Sequence, residues 1–299
     1  MDIKRPVFWH QGLFLQPQHF QLTDQHHQFQ LTPYREAGLP HFWGVAQMAL
    51  QESALADRRF VLASGSFLFP GGEYVEFPGN AIVPPRSFDA EWTEGDKPFA
   101  VWLGLRRLSD ATPNVAVVKS LAEASSERVR YLTTADADEV ADLFHQGPSA
   151  QVKRLTCLVR VFFAHEVEGL ADYDLIPVAL LQRDGGKIVP SRRFVPPCVG
   201  AQASPALMDI LRELRDSVAG RARTLEEYKV TGAMGKGDFD PAGVLSLLAL
   251  ATLNRYAPLL THYCEGGAVH PWSVYGTVRQ MLGELSTFTA RFNMQGEAP

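Results

Sequence analysis

The sequence predicts an α+β chain in two parts: an antiparallel β-sandwich over residues 1–190 and a helical bundle over 204–299, joined by a proline-rich linker at 191–203. Three observations carry this. From about residue 55 to residue 190, short runs of Val, Phe and Tyr alternate with Gly, Pro and Asp clusters, the pattern of many short strands without regular interleaved helices. Pro190, Pro196 and Pro197 then discourage both helix and sheet interior, because proline lacks the amide hydrogen and fixes φ. Beyond Ser204, apolar residues recur at helical spacing in three successive segments.

The β-rich part holds the run Phe60 to Phe69, turned by Pro70-Gly71-Gly72 so that Tyr74 to Phe77 returns as a hairpin partner. Phe99 to Leu105, Val115 to Val118, Val129 to Leu132 and Tyr173 to Leu181 read as further strands. Over 154–163, Leu155, Cys157, Val159, Val161 and Phe163 share one face and Arg154, Thr156 and Arg160 the other, the period of two of a half-buried strand. Residues 134–146, with Val140, Leu143 and Phe144 on one side, predict a short surface helix.

In the bundle, Ser204 is a natural N-cap and Pro205 a natural first helical residue. Behind them Leu207, Leu211, Leu214, Val218 and Leu225 keep one apolar stripe to about Lys229. A second helix opens at Asp240-Pro241 and carries Val244, Leu245, Leu248, Ala251, Leu253 and Tyr256 before Pro258 bends or ends it. The third follows His270-Pro271 with Val274, Val278, Met281, Leu285 and Phe288. The stripes of the first and third helices are the expected oligomerisation surface, since such seams need partners.

At 299 residues and 46% hydrophobic content, the chain can bury one or two substantial cores. A net charge of -5, from 28 basic and 33 acidic residues, offers no electrostatic footprint for DNA or RNA. No apolar run reaches the roughly 18 residues needed to cross a bilayer, so no direct membrane insertion is expected. Cys157, Cys198 and Cys264 are odd in number and far apart, which fits buried thiols in a reducing cytoplasm.

No catalytic residue is nominated. Gly-x-Ser-x-Gly, His-Glu-x-x-His and Cys-x-x-Cys are all missing from the sequence. The loop Gly232 to Gly237 departs from a phosphate-binding loop at Val230 and Gly237, and reads as a connection. Asp136, Asp138, Glu139 and Asp142 lack the turn glycine of a calcium loop and read as a solvated helix start. His10, His19, His26 and His27 lack further metal ligands nearby, with His26 and His27 expected exposed on a polar turn. No metal or cofactor is expected. Trp43, Trp92 and Trp102 admit a sugar-stacking platform, though core packing suits Trp102 better, and Glu284 reads as a salt-bridge or packing residue.

The opening segment is the most telling. Phe8 to Gln21 sets large aromatics beside Gly, Pro and amides, and Gln11, Gln16 and Gln18 interrupt any secretory apolar run. Rigid rings on a proline-stiffened strand suit docking, since they bury much area at little entropy cost. Phe8, Trp9, Phe14, Leu15, Pro17 and Phe20 are the expected hydrophobic contact, with Gln18 and His19 supplying polar register.

Trp9, Gly12, Leu15, Pro17, Gln18, His19 and Phe20 fall on the amino-terminal signature of the TssK family of type VI secretion baseplate proteins, which this sequence resembles. Trp43-Gly44-Val45, Phe69-Pro70-Gly71-Gly72, Val195-Pro196-Pro197-Cys198, Thr252-Leu253-Asn254, His270-Pro271 and Gly283-Glu284-Leu285-Ser286-Thr287-Phe288 continue the likeness in the same order. The resemblance implies a sandwich similar to the shoulder of siphophage receptor-binding proteins, a helical neck and a homotrimer. It further implies a cytoplasmic, non-enzymatic adaptor between the TssF/TssG wedge and the TssJ/TssL/TssM membrane complex. Family members carry a further carboxy-terminal domain that contacts TssL and TssM, so the chain ending at Pro299 reads as a piece of a longer protein. The rival reading is a carbohydrate-binding, phage-receptor-like β-sandwich; a hydrolase is a third.

Overall fold

A computed structural model describes residues 2–92, 97–144, 147–230, 241–266 and 268–297, without the side chains of 228–230. The chain forms two compact units, Met1–Val189 and Pro190–Pro299. The first begins with an arm and helix α1 (Pro17–Ala37). It continues through β1 (Gly44–Leu50), α2 (Ser53–Ala56), β2 (Arg59–Phe60), β3 (Leu62–Leu68), β4 (Tyr74–Phe77), β5 (Ala81–Ile82) and β6 (Arg86–Ser87). Then come β7 (Phe99–Arg106), β8 (Val115–Val118), β9 (Tyr131–Thr134), β10 (Asp138–Val140), β11 (Ala150–Val152), β12 (Thr156–Phe163), β13 (Tyr173–Asp184) and β14 (Lys187–Pro190). The main sheet runs β14-β13-β7-β12-β9-β8 with β5 beside β12; β1-β3-β4 form a second sheet, and β2-β6 and β10-β11 are ribbons.

The expected hairpin is present: β3 and β4 pair antiparallel, with Gly72 at φ +89 in their turn, a conformation that glycine adopts without steric cost. Pairing is not wholly antiparallel, however. β8 runs parallel to β9, and β5 parallel to β12. A parallel neighbour needs a crossover; between β8 and β9 it contains only the 3-10 turn Leu121–Ser126, too short to leave a helical period in the sequence.

β10 and β11 pair antiparallel, with Asp138 facing Val152 and Val140 facing Ala150, so the surface helix expected at 134–146 is corrected over its described residues. The acids are not a helix start, and Leu143 and Phe144 are exposed. The expected half-buried strand is also corrected, because β12 lies inside the sheet. Leu158 and Phe162 are buried along with Val159, Val161 and Phe163, while Leu155 lies just before the strand and is exposed. Gly104 of β7 makes room for this second face: a Cβ there would meet the Phe162 ring at 2.6 Å. Pro177 sits in β13 beside a register shift between Pro177 and Ala179, where an interior proline is tolerated.

The second unit holds α3 (Pro205–Val230), α4 (Pro241–Glu265) and α5 (Pro271–Ser286). The Ser204 hydroxyl accepts the Leu207 amide at 3.3 Å, and His270 Nδ1 accepts the Trp272 amide at 3.2 Å, each quenching an orphan donor at a helix start. The predicted cap at Asp240 and the loop Gly232 to Gly237 lie outside the described residues. Pro258 does not end α4. Its missing hydrogen bond would have gone to the Asn254 carbonyl, and both residues are exposed, so water can serve that acceptor. The stretch expected as a linker is packed at its end: Pro196, Cys198 and Ala201 are buried, and the Ala201 amide donates to the Val269 carbonyl at 2.8 Å.

By length and composition α4 is apolar enough to cross a bilayer: 25 residues contain an 18-residue window of mean hydropathy 1.3, 28% of it buried. Its apolar sequence is interrupted by polar residues such as Asn254 and Arg255, so no unbroken apolar run of that length is present. In the bundle its buried residues are Leu250, Thr252, Leu253, Tyr256 and Leu260.

Candidate docking interface

The arm and α1 fold back on each other. Pro17 opens the helix, where its fixed φ suits the first turn, and the Gln16 amide donates to His19 Nδ1 at 3.1 Å. This helix leaves little trace in the sequence, since its 21 residues carry no sustained apolar stripe and bury only His26. His26 is therefore not exposed on a turn; its Nδ1 lies 3.1 Å from the Ile3 carbonyl oxygen. Farther out, the Trp9 ring lies 6.2 Å from Phe20 and 6.3 Å from His19. Ile3 against His26 and Trp9 against Phe20 run the arm antiparallel to the helix, and a turn at Gly12, φ +86, connects the two.

The arm and the start of α1 leave their rings open to solvent. Phe8 is 80% exposed and Phe14 79%, and Trp9, Leu15 and Phe20 are each about half exposed. Pro17 and Gln18 are exposed beside them, while His19 is half-buried because its ring caps the helix. Large rings open to water are costly for an isolated surface and fit a protein contact.

The ten residues expected to oligomerise are buried or half-buried in the bundle. Val218, Met281, Leu214, Leu225 and Leu285 pack with Leu250, Leu253, Tyr256 and Leu260 of α4. Leu211, Val274, Leu207 and Val278 pack with Ala201, Met208 and Tyr263. Phe288 is half-buried just past α5. Nine of them thus contribute to packing within the chain's own bundle, four as buried residues and five as partly buried ones. Apolar residues left exposed on the helices include Val244, Leu245, Leu247 and Leu248 on α4, Ile210 on α3, and Trp272, Tyr275 and Leu282 on α5.

Glu284 takes the salt-bridge role read from the sequence: its Oε1 accepts from Arg255 at 2.6 Å and from the Tyr256 hydroxyl at 2.7 Å. Trp92 is buried and stacks on Phe99 at 5.3 Å, and Phe99 touches Phe163 at 4.9 Å. That removes Trp92 from any sugar platform. Burial pushes the Cys157 and Cys198 thiols up to about 11, the setting of unreactive cysteines. Among the described residues no group of three or more His, Cys, Asp or Glu could hold a metal ion.

A profile described as bacterial type VI secretion, VC_A0110, EvfL, ImpJ and VasE matches residues 19–299. The chain belongs to this family, the TssK family. A curated TssK relative, the type VI secretion system baseplate component TssK1 of Pseudomonas aeruginosa, is 24% identical over 305 residues, covering all of this chain and 65% of its own length. The chain therefore spans about two thirds of that TssK protein at most. The fold is likewise that of solved structures. A crystal structure of TssK matches with TM-score 0.82 at 20% identity, over 100% of this chain and 63% of that one. A cryo-electron microscopy structure of a TssK-TssF-TssG baseplate subcomplex matches with TM-score 0.80 at 24% identity, over 97% and 90%. The chain is thus a member of a type VI secretion family, with a mixed α+β fold.

Arg35, whose Nη1 donates to the Gly71 carbonyl at 3.1 Å, was missed by sequence reasoning. Phe69-Pro70-Gly71-Gly72 was noticed as a family motif, and only as a turn.

Proposed function

We propose that this chain is a non-enzymatic structural adaptor that docks its amino-terminal arm on a wedge built of TssF and TssG. The observation that carries this reading is the presented ring face of Phe8, Trp9, Phe14, Leu15 and Phe20, braced by α1. The likeness to the chain of a solved TssK-TssF-TssG subcomplex supports the choice of partner. A homotrimer would multiply each arm contact through effective concentration, and the uncovered leucines of α4 suit its interface. On this reading the whole protein works in the bacterial cytoplasm at the inner membrane, linking the wedge to TssJ, TssL and TssM, and the β-rich unit is akin to the shoulder of siphophage receptor-binding proteins.

Co-purification with TssF and TssG tests the docking. The Trp9→Ala/Phe20→Ala double variant is expected to lose at least about tenfold in affinity, since buried aromatic anchors dominate such contacts. Undiminished complex formation would make these rings part of the fold instead of the contact.

A further inference from the structure

We propose that the Pro70–Glu73 turn is a seat that fixes the pose of α1 and its docking arm, with Arg35 as the positioning residue; the proposal rests on the docking reading above. A 21-residue helix that buries one side chain has little packing to set its direction, so its polar anchors decide where the arm points. Arg35 supplies such an anchor. Its Nη1 donates to the Gly71 carbonyl at 3.1 Å, while Nη2 donates to the Gln28 carbonyl at 2.9 Å and the Thr32 hydroxyl at 3.3 Å. One guanidinium thus ties the last turns of the helix to the β3–β4 hairpin, using the fixed fork that a lysine lacks.

The turn is shaped to receive it. A Cβ on Gly72 would stand 1.6 Å from Arg35 Nη1, and its φ of +89 already disfavours a side chain. Behind the seat, the turn is held by the main sheet. A Cβ on Gly71 would meet Asp174 Oδ2 of β13 at 2.5 Å, and Asp174 is itself held by Arg107 Nε at 2.8 Å. Glu73 accepts from Arg130 Nη2 at 2.5 Å, and Arg130, buried next to β9, also donates to the Arg106 carbonyl at 2.7 Å. Rigidity therefore passes from the sheet through the turn to Arg35, and from α1 to Trp9 through Phe20. Arg35 lies far along the helix from these rings, so its contribution is preorganisation of the arm, which raises affinity without adding a contact.

The test compares the whole protein with Arg35→Ala and Arg35→Lys. In Arg35→Ala, amides of residues 17–37 are expected to exchange at least about tenfold faster, because a detached helix of this length is marginal in water. Exchange in β7, β12 and β13 is expected to stay unchanged, and Arg35→Lys to lie between. Affinity for purified TssF–TssG is expected to fall about tenfold in Arg35→Ala. Unchanged exchange in α1, or faster exchange with unchanged wedge affinity, would overturn the proposal. Failure of the parent protein to bind the wedge would instead sink the docking reading, and the exchange comparison would still judge the seat.

Discussion

Glu166 shows how one side chain fixes a local corner of the β-rich unit. It takes two hydrogen bonds from Arg86, at 2.7 and 3.0 Å, and one from the Phe163 amide at 2.8 Å. Arg86 also lies 4.3 Å over the Phe163 ring. Burial opposes the Glu166 charge, but Arg86 and the Phe163 amide outweigh it and hold its carboxyl below the usual carboxylate range. A depressed folded-state value means the stabilisation is full above the unfolded value of about 4.3 and is lost as pH falls through the folded one. Urea unfolding is therefore expected to show stability declining with acid below about pH 4.3, with Glu166→Gln less stable near neutrality and shallower in its acid slope. Identical slopes would assign the titration to other groups.

Among the elements, α4 separates core from surface within one apolar sequence. Leu253 is buried against α3 and α5, whereas Leu245 is exposed. Leu253→Ala is expected to cost about 2–5 kcal/mol in chemical denaturation, and Leu245→Ala within about 0.5 kcal/mol at concentrations where the chain is monomeric. Equal costs would mean that the bundle is packed otherwise.

The helices were legible because Ser204, Pro205, His270 and Pro271 punctuate them and their apolar period is sustained. The β3–β4 hairpin was legible from its Pro-Gly-Gly turn. α1 was not, since glutamine and histidine fill it and its sole buried residue leaves no period to read. β10 was misread because Val140, Leu143 and Phe144 satisfy a helical spacing that only strand pairing with 150–152 overrides. Of the docking segment, sequence marked the rings; that the arm folds back on a helix depends on tertiary contacts such as Ile3 with His26.

For the molecule as a whole, the proposed homotrimer would draw on the exposed apolar residues at the start of α4, since the other seams also pack within one copy. Leu245→Asp with Leu248→Asp is expected to reduce the mass seen by light scattering from three times the 33.1 kDa chain to one, since charges cannot be buried unpaired. A trimer surviving the double change would place the interface elsewhere.

The mixed strand order also governs how the β-rich unit is made. β12 completes the sheet only by touching β5, β7 and β9, segments that lie well before it in the chain. Pairings of such long sequence separation form slowly, and during synthesis none of them can close before residues 156–158 have cleared the ribosome, nor the full pairing with β7 before residue 163. Until then the nascent chain must carry Phe99, Val101, Leu103 and Leu105, all buried in the finished sheet, without their covering strand, so this is the interval in which a chaperone has most to protect.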